Sequence, residues 1–268
     1  MTNIHPTAIV DAHADIADDV EIGPYCTVGP FVKIDSGSRL ISHVVVDGHT
    51  TMGKRNLVYP FAAIGTLAQH KRSHVEDAKL VIGDDNTFRE HVTAHVGSEV
   101  DNNITIIGNR NLFLVASHIA HDCVLGDDIV MSNNATLAGH VHVEDRAIIG
   151  GLSAVLQFCR IGKGAMIGGM CGIGQDVIPY GIVKGGYEAP LAGINLVGLR
   201  RAGVDNKLIF GLQKAYDELF AANDKNFADR VAALAENEAY KENPLVQDVI
   251  KFVQNPSKYN ILQPKAGA

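Results

Sequence analysis

From residue 107 to residue 173 the chain reads IGNRNLFLVASHIAHDCVLGDDIVMSNNATLAGHVHVEDRAIIGGLSAVLQFCRIGKGAMIGGMCGI. Counted in sixes, this stretch places an apolar residue at every step: Ile107, Phe113, Ile119, Leu125, Met131, Leu137, Val143, Ile149, Val155, Ile161, Ile167 and Ile173. The same period runs toward the N-terminus, through Ile4, Val10, Ile16, Ile22, Val28, Ile34, Leu40, Val46, Met52, Val58 and Ile64. It resumes briefly at Ile82 and Phe88, with Ala94 in phase. The fifth place of each hexad is mostly small or β-branched, as at Val32, Ala62, Ala135, Val141, Ala147 and Val177. A hexad of this kind predicts a short strand and a corner, with places one and five facing inward. One hexad cannot bury its own face, so successive coils must stack into a continuous core. The expected fold is therefore mainly β, a parallel β-helix.

The rest of the composition suits that reading. In 268 residues there are 27 glycines, no tryptophan and only 6% aromatics, which fits many tight corners around a narrow core. The four cysteines, Cys26, Cys123, Cys159 and Cys171, all fall at the fifth place of a hexad and are read as free core thiols. A net charge of −7 argues against a nucleic-acid binder. No stretch approaches the ~20 apolar residues of a membrane span. The N-terminus lacks the basic and apolar regions of a signal peptide, so a cytoplasmic location is expected.

Two breaks interrupt the repeat. The first, about 66–81, carries Gln69, His70, Lys71, Arg72 and His74. A polar, basic insertion at a solenoid corner suggests a binding loop. The second, about 97–106, reads as a plain loop. The β-helix is expected over 1–180, followed by a Gly- and Pro-rich linker and a helical region over 181–268. Within that region Asp205 is a candidate N-cap for a helix carrying Leu208, Leu212, Ala215, Tyr216 and Leu219. Phe227, Val231 and Leu234 suggest a second helix. Asn243-Pro244 begins a third, with Leu245, Val249, Ile250 and Val253.

The chemistry concentrates at HIAHDC (118–123) and NNATLAGH (133–140). Together with IGPYCTVGP, SHVVVDGHT, AIIGG, QFC and GLRRAG, these segments resemble the hexapeptide-repeat UDP-N-acetylglucosamine O-acyltransferases that open lipid A synthesis. The likeness extends from Ile4 to about Gly203. It implies three hexads, or eighteen residues, per coil, so that His121, Gly139 and Gln157 would stack in successive rungs about 4.8 Å apart with Asp122 beneath His140. It also implies a left-handed helix and a homotrimer with sites between subunits. The hand comes from the resemblance, because the general rule for parallel crossovers favours the opposite one.

The resemblance implies roles for particular residues. His121 would be the general base, Asp122 its orienting carboxylate and the Gly139 N–H the oxyanion donor. His118, His140, Gln157, Gln69, His70, Arg72, Asn195, Arg200 and Arg201 would contact the UDP-sugar acceptor. Gly169 would limit the acyl groove, and acyl-carrier protein would be the donor, drawn by Lys184, Arg200, Arg201, Lys207 and Lys214. Imidazole suits general-base work near neutral pH, and an N–H on a residue without a β-carbon is an open donor. No cofactor and no metal is expected.

The chain also departs from the family pattern. Leu156 stands where the family has histidine, His70 and Arg72 replace an acid and a lysine, and Val197 replaces an acid. A paralogue acting on another UDP-sugar or on an amino group is thus a second reading. Two further classes are a non-catalytic scaffold, disfavoured by the stacked His121 and Gly139, and a zinc hexapeptide enzyme. For the last, His118, His121 and His140 lack the spacing of the zinc family.

Overall fold

The computed structural model describes residues 3–71, 77–98, 103–221 and 226–265. Most strands are two residues long and end on the apolar register position, as in Asn3–Ile4, Ile9–Val10 and Asp15–Ile16. Among the described residues they assemble into three sheets of eleven, nine and eight strands, parallel except for the last strand of the first, and through the β-helix every third strand joins the same sheet. The rungs repeat at eighteen residues, with Ile4 beside Ile22 and Phe113 beside Met131. The register residues and fifth-place residues fill the prism: Ile22, Leu40, Phe88, Phe113 and Ile119 are at most 1% exposed, and all four cysteines are buried and unpaired.

The two insertions lengthen two rungs. Val58 pairs with Phe88 thirty residues on, and Phe88 with Phe113 twenty-five residues on. Both breaks are shorter than the hexad count suggests. Lys79–Ile82 and Ile104–Ile107 are strands, each four residues long and paired to one another in register. The count missed them because the insertions reset its phase, while Leu80 and Thr105 kept their inward-facing places. Arg72 and His74 lie outside the described residues.

Corners recur where a non-glycine residue takes positive φ. Ala116, Asn134, Leu152 and Met170 form one corner, Arg110, Asp128 and Arg146 a second, and Asp122, His140 and Phe158 the third. Asp and Asn tolerate this conformation best, and the others are held in it by the ladders on either side.

The linker expected from 181 onward is partly structured. Gly181–Val183 continues the eleven-stranded sheet in parallel, and Leu191–Ile194 pairs back on it antiparallel. Four α-helices follow among the described residues: α1 (Leu196–Arg201), α2 (Asn206–Leu219), α3 (Phe227–Glu236) and α4 (Pro244–Gln254). Asp205, Asn226 and Asn243 cap α2, α3 and α4, and Ile209, Leu212, Leu234, Val249 and Ile250 are buried among them. The chain end returns to the β-helix, where Asn260 O accepts from Asp176 N at 3.1 Å and Leu262 N donates to Asp176 O at 2.8 Å.

Candidate active site

His121 lies at the corner between the strands His118–Ile119 and Val124–Leu125 and is 4% exposed. Its Nδ1 sits 2.8 Å from Asp122 Oδ2. Asp122, at φ 59°, is itself pinned. Ser98 donates to it through its backbone N–H at 3.0 Å and through its hydroxyl at 2.6 Å, and Asp122 N donates to Thr105 Oγ1 at 2.8 Å. Burial alone would raise the carboxyl, but the hydrogen bonds from His121 and Ser98 outweigh it, and Asp122 is held below the usual carboxylate range. An ionised carboxylate only accepts, so it fixes the proton of neutral His121 on Nδ1 and leaves Nε2 as the basic nitrogen.

The ring lies directly on Gly139. A β-carbon built there would fall 2.4 Å from His121 Cε1 and 2.7 Å from Nε2, so only glycine leaves the imidazole its place. The neighbouring N–H groups of Ala138 and His140 donate to Val155 O and His121 O, whereas that of Gly139 has no acceptor among the described residues. A basic nitrogen and an open N–H donor thus face one small region.

Around this pair the imidazoles gather. His140 is 6% exposed, meets His121 edge to face at 5.1 Å between ring centroids, and places Nε2 3.7 Å from Asp122 Oδ2. Phe158 stacks on His140 at 4.4 Å, and the Lys258 ammonium sits 3.6 Å from the centre of the Phe158 ring. His118 is half-buried with Nδ1 2.7 Å from Thr93 Oγ1; desolvation, then His121, lowers its pKa. Behind it His95, 3% exposed, meets His118 at 5.0 Å and has no partner on Nδ1. Burial, then the neighbouring His118 and His121, pushes His95 down to about 4, so it stays neutral. His70 brings its ring edge-on to His121 at 5.6 Å. His121, Asp122 and His140 offer ligand atoms within 4.8 Å of one another. The trio considered from sequence had His118 in place of Asp122.

Gln157 lies on the His121 corner one rung beyond Gly139 and is exposed, as is Gln69, which precedes His70. Other expected residues lie elsewhere. Asn195 caps α1, accepting from Gly198 N at 2.9 Å and donating to Gly164 O at 3.1 Å, so both ends of its amide serve the fold. Arg200 and Arg201 are exposed in the last turn of α1. Arg201 lines a 250 Å³ cavity with Arg146, Tyr180 and Asn195. Leu156 and Val197 are about half exposed. Gly169 lies at the Leu152 and Met170 corner, not at the His121 corner. A cavity of 760 Å³ between α3 and the chain end includes none of the His121 cluster. The site is a corner, closed behind by Ser98 and Asp122.

Ser98, Thr93 and Lys258 were not singled out from sequence. Asp122 and Ser98 are 24 residues apart because the second insertion lengthens that rung, which defeats coil arithmetic.

A β-helix bearing a carboxylate-held imidazole over an open glycine N–H defines an acyltransferase of the hexapeptide-repeat class. The comparisons agree. A family model described as UDP N-acetylglucosamine O-acyltransferase, domain 2, matches residues 176–261. The acyl-[acyl-carrier-protein]–UDP-N-acetylglucosamine O-acyltransferase of Sinorhizobium fredii is 42% identical over 98% of this chain and 96% of its own. That of Herminiimonas arsenicoxydans is 44% identical over 95% and 97%. The solved LpxA from Acinetobacter baumannii superposes with a TM-score of 0.90 at 40% identity, covering 97% of this chain and 99% of that one. The UDP-N-acetylglucosamine O-acyltransferase from Moraxella catarrhalis reaches 0.92 at 40% identity over the same shares. The chain belongs to the UDP-N-acetylglucosamine O-acyltransferase family, and its β-helix is left-handed. No described helix is long and apolar enough to cross a membrane.

Proposed function

We propose that this chain transfers a 3-hydroxyacyl group from acyl-carrier protein to the 3-hydroxyl of UDP-N-acetylglucosamine, the opening step of lipid A synthesis, in the cytoplasm. The observation that carries the reading is the His121 ring, tied to Asp122 through Nδ1 and laid on Gly139. His121 Nε2 takes the proton of the sugar hydroxyl as its oxygen attacks the thioester carbonyl. The Gly139 N–H donates to the oxyanion that forms. Collapse breaks the C–S bond, and the departing thiolate takes the proton from Nε2. Asp122 keeps Nδ1–H in place and offsets the positive charge while the imidazole is protonated. His118 and His140 flank the base and would orient the sugar. Gln157, Gln69, His70, Arg72, Asn195, Arg200 and Arg201 are the remaining candidates for the acceptor shell. For Asn195 this requires a contact beyond its two bonds to the fold.

The working unit is a homotrimer in this reading. The base and the acyl-limiting Gly169 sit on different corners of the prism, so a groove joining them needs a second copy. The corner that carries Gly169 also presents Tyr25, Phe61, Leu152 and Met170, each more than half exposed. A stripe of this kind marks an interaction surface.

The departures at Leu156, Val197 and His70 favour a changed acceptor shell as the second reading. The test is purified protein with 3-hydroxyacyl-carrier thioesters and a panel of UDP-sugars, including a 3-amino analogue, with products identified by mass and NMR. Ester at the 3-oxygen of UDP-N-acetylglucosamine is expected. Amide on the 3-amino sugar alone would establish the second reading, and no transfer to any acceptor would refute both.

A further inference from the structure

We propose that His121, Asp122 and His140 form an inhibitory site for Zn²⁺, a divalent cation of borderline softness that occupies the catalytic dyad and switches the base off. Three observations carry it. The first is spacing. Zinc binds imidazole nitrogen and carboxylate oxygen at about 2.0–2.2 Å, which places tetrahedral ligands roughly 3.4 Å apart. Here His121 Nδ1 and Asp122 Oδ2 are 2.8 Å apart, His140 Nε2 and Asp122 Oδ2 are 3.7 Å apart, and the three residues' ligand atoms all fall within 4.8 Å. Shifts of about 1.4 Å or less would close the set.

The second is charge and burial. All three side chains are at most 6% exposed, and the cluster sets a carboxylate between two imidazoles. A divalent cation neutralises what a proton only shares. The third is support behind the ligands. Ser98 holds Asp122 through two hydrogen bonds, His140 N donates to His121 O at 3.0 Å, and Phe158 stacks on the His140 ring with an interplanar angle of 11°. Such outer contacts orient ligands at metal sites.

Zinc on Nδ1 displaces the proton shared with Asp122, and that proton moves to Nε2 of the same ring. Nε2 becomes a donor and can no longer accept the hydroxyl proton. No electron transfer and no other reactant is involved. The inhibition rests on His121 being the base, whereas the binding does not.

The test uses untagged full-length protein. Co²⁺ is titrated by its visible absorption, Zn²⁺ affinity is measured against a chromophoric chelator, and the zinc-loaded protein is examined by X-ray absorption. The expected result is one ion per chain with a shell of two imidazoles and a carboxylate. Binding should weaken more than about tenfold in His140→Gln and Asp122→Asn. It should persist in His118→Gln, which removes a nearby imidazole outside the set. Zinc should stop turnover, and EDTA should restore it. No bound ion, a thiolate shell, or affinity unchanged in both ligand variants would overturn the site. The X-ray absorption result on wild-type protein decides the matter if the variants do not fold. Zinc held by this trio with turnover unaffected would overturn the inhibitory role and the assignment of His121 as base together. A protein that transfers no acyl group yet binds zinc here would leave the site standing while the proposed reaction fell.

Discussion

Replacing Gly139 by alanine should disable the enzyme through a neighbour and not through its own backbone. Gly139 does not use positive φ, so alanine is conformationally acceptable there, and the N–H that would hold the oxyanion is retained. The difficulty is the added methyl. It would fall 2.4 Å from His121 Cε1 and 2.7 Å from Nε2, where ordinary contacts begin at 3.4 Å, so the ring must retreat by about 1 Å. It has little room to do so. Nδ1 is tied to Asp122 at 2.8 Å, and Asp122 is tied to Ser98 at 2.6 and 3.0 Å. A misplacement of ~1 Å costs about 10² in rate, and loss of the base altogether about 10²–10⁴. Overpacking should cost ~1–3 kcal/mol of stability. Steady-state kinetics with saturating acceptor should show kcat reduced by at least about 10² in a protein that still melts cooperatively. Because the damage passes through His121, Gly139→Ala should add little to the loss already caused by His121→Ala. A Gly139→Ala enzyme with kcat within about twofold of wild type would refute the contact and the reasoning built on it.

Other outcomes follow from the same geometry. His95 has its folded pKa pushed down to about 4 from an ordinary 6.5, so between those values the unfolded chain binds more protons and stability is lost as pH falls through that window. The contribution is on the order of 3 kcal/mol, and melting curves at pH 7.5 and 4.5 should show a smaller acid loss in His95→Gln; an equal loss would contradict it. Gly169→Met should shift preference toward shorter donors among 10-, 12- and 14-carbon chains, with wild type favouring the longer ones. Each methylene is worth about 0.8 kcal/mol. An unmoved preference, or wild type favouring the 10-carbon donor, would remove Gly169 as the limit. Lys184, Arg200, Arg201, Lys207 and Lys214 are all exposed, and the KM for an acidic carrier-protein donor should rise with salt. A salt-independent KM would exclude that surface.

The prism was legible because each hexad repeats the same physical requirement, an apolar residue inward and a corner after it. Twenty-three such positions place the strands with almost no freedom. Caps on side chains, such as Asp205 and Asn243, were legible for the same reason, since the cap is a local bond. The hairpin of Gly181–Val183 with Leu191–Ile194 was not, because glycine and proline in that stretch mask strands that exist only by pairing with the finished sheet. At the site, stacking arithmetic joined His121 to Gly139 and Asp122 to His140, since both pairs lie one regular rung apart. It could not find Ser98, reached across a lengthened rung, nor Lys258, brought back to Phe158 by the chain end. It also treated Gly169 and His121 as points on one groove. The separation of corners shows that distance along the coil axis is only one of two coordinates, and that the second depends on which sheets a corner joins.

The central claim, that His121 is the base for acyl transfer to UDP-N-acetylglucosamine, is tested most directly by single-turnover kinetics. His121→Ala is mixed with 3-hydroxyacyl-carrier protein and saturating acceptor, and its circular dichroism is compared with wild type to establish the fold. The rate of ester formation should fall by about 10²–10⁴ while the β-rich spectrum is retained. A folded His121→Ala protein that transfers the acyl group within about threefold of the wild-type rate would contradict the account.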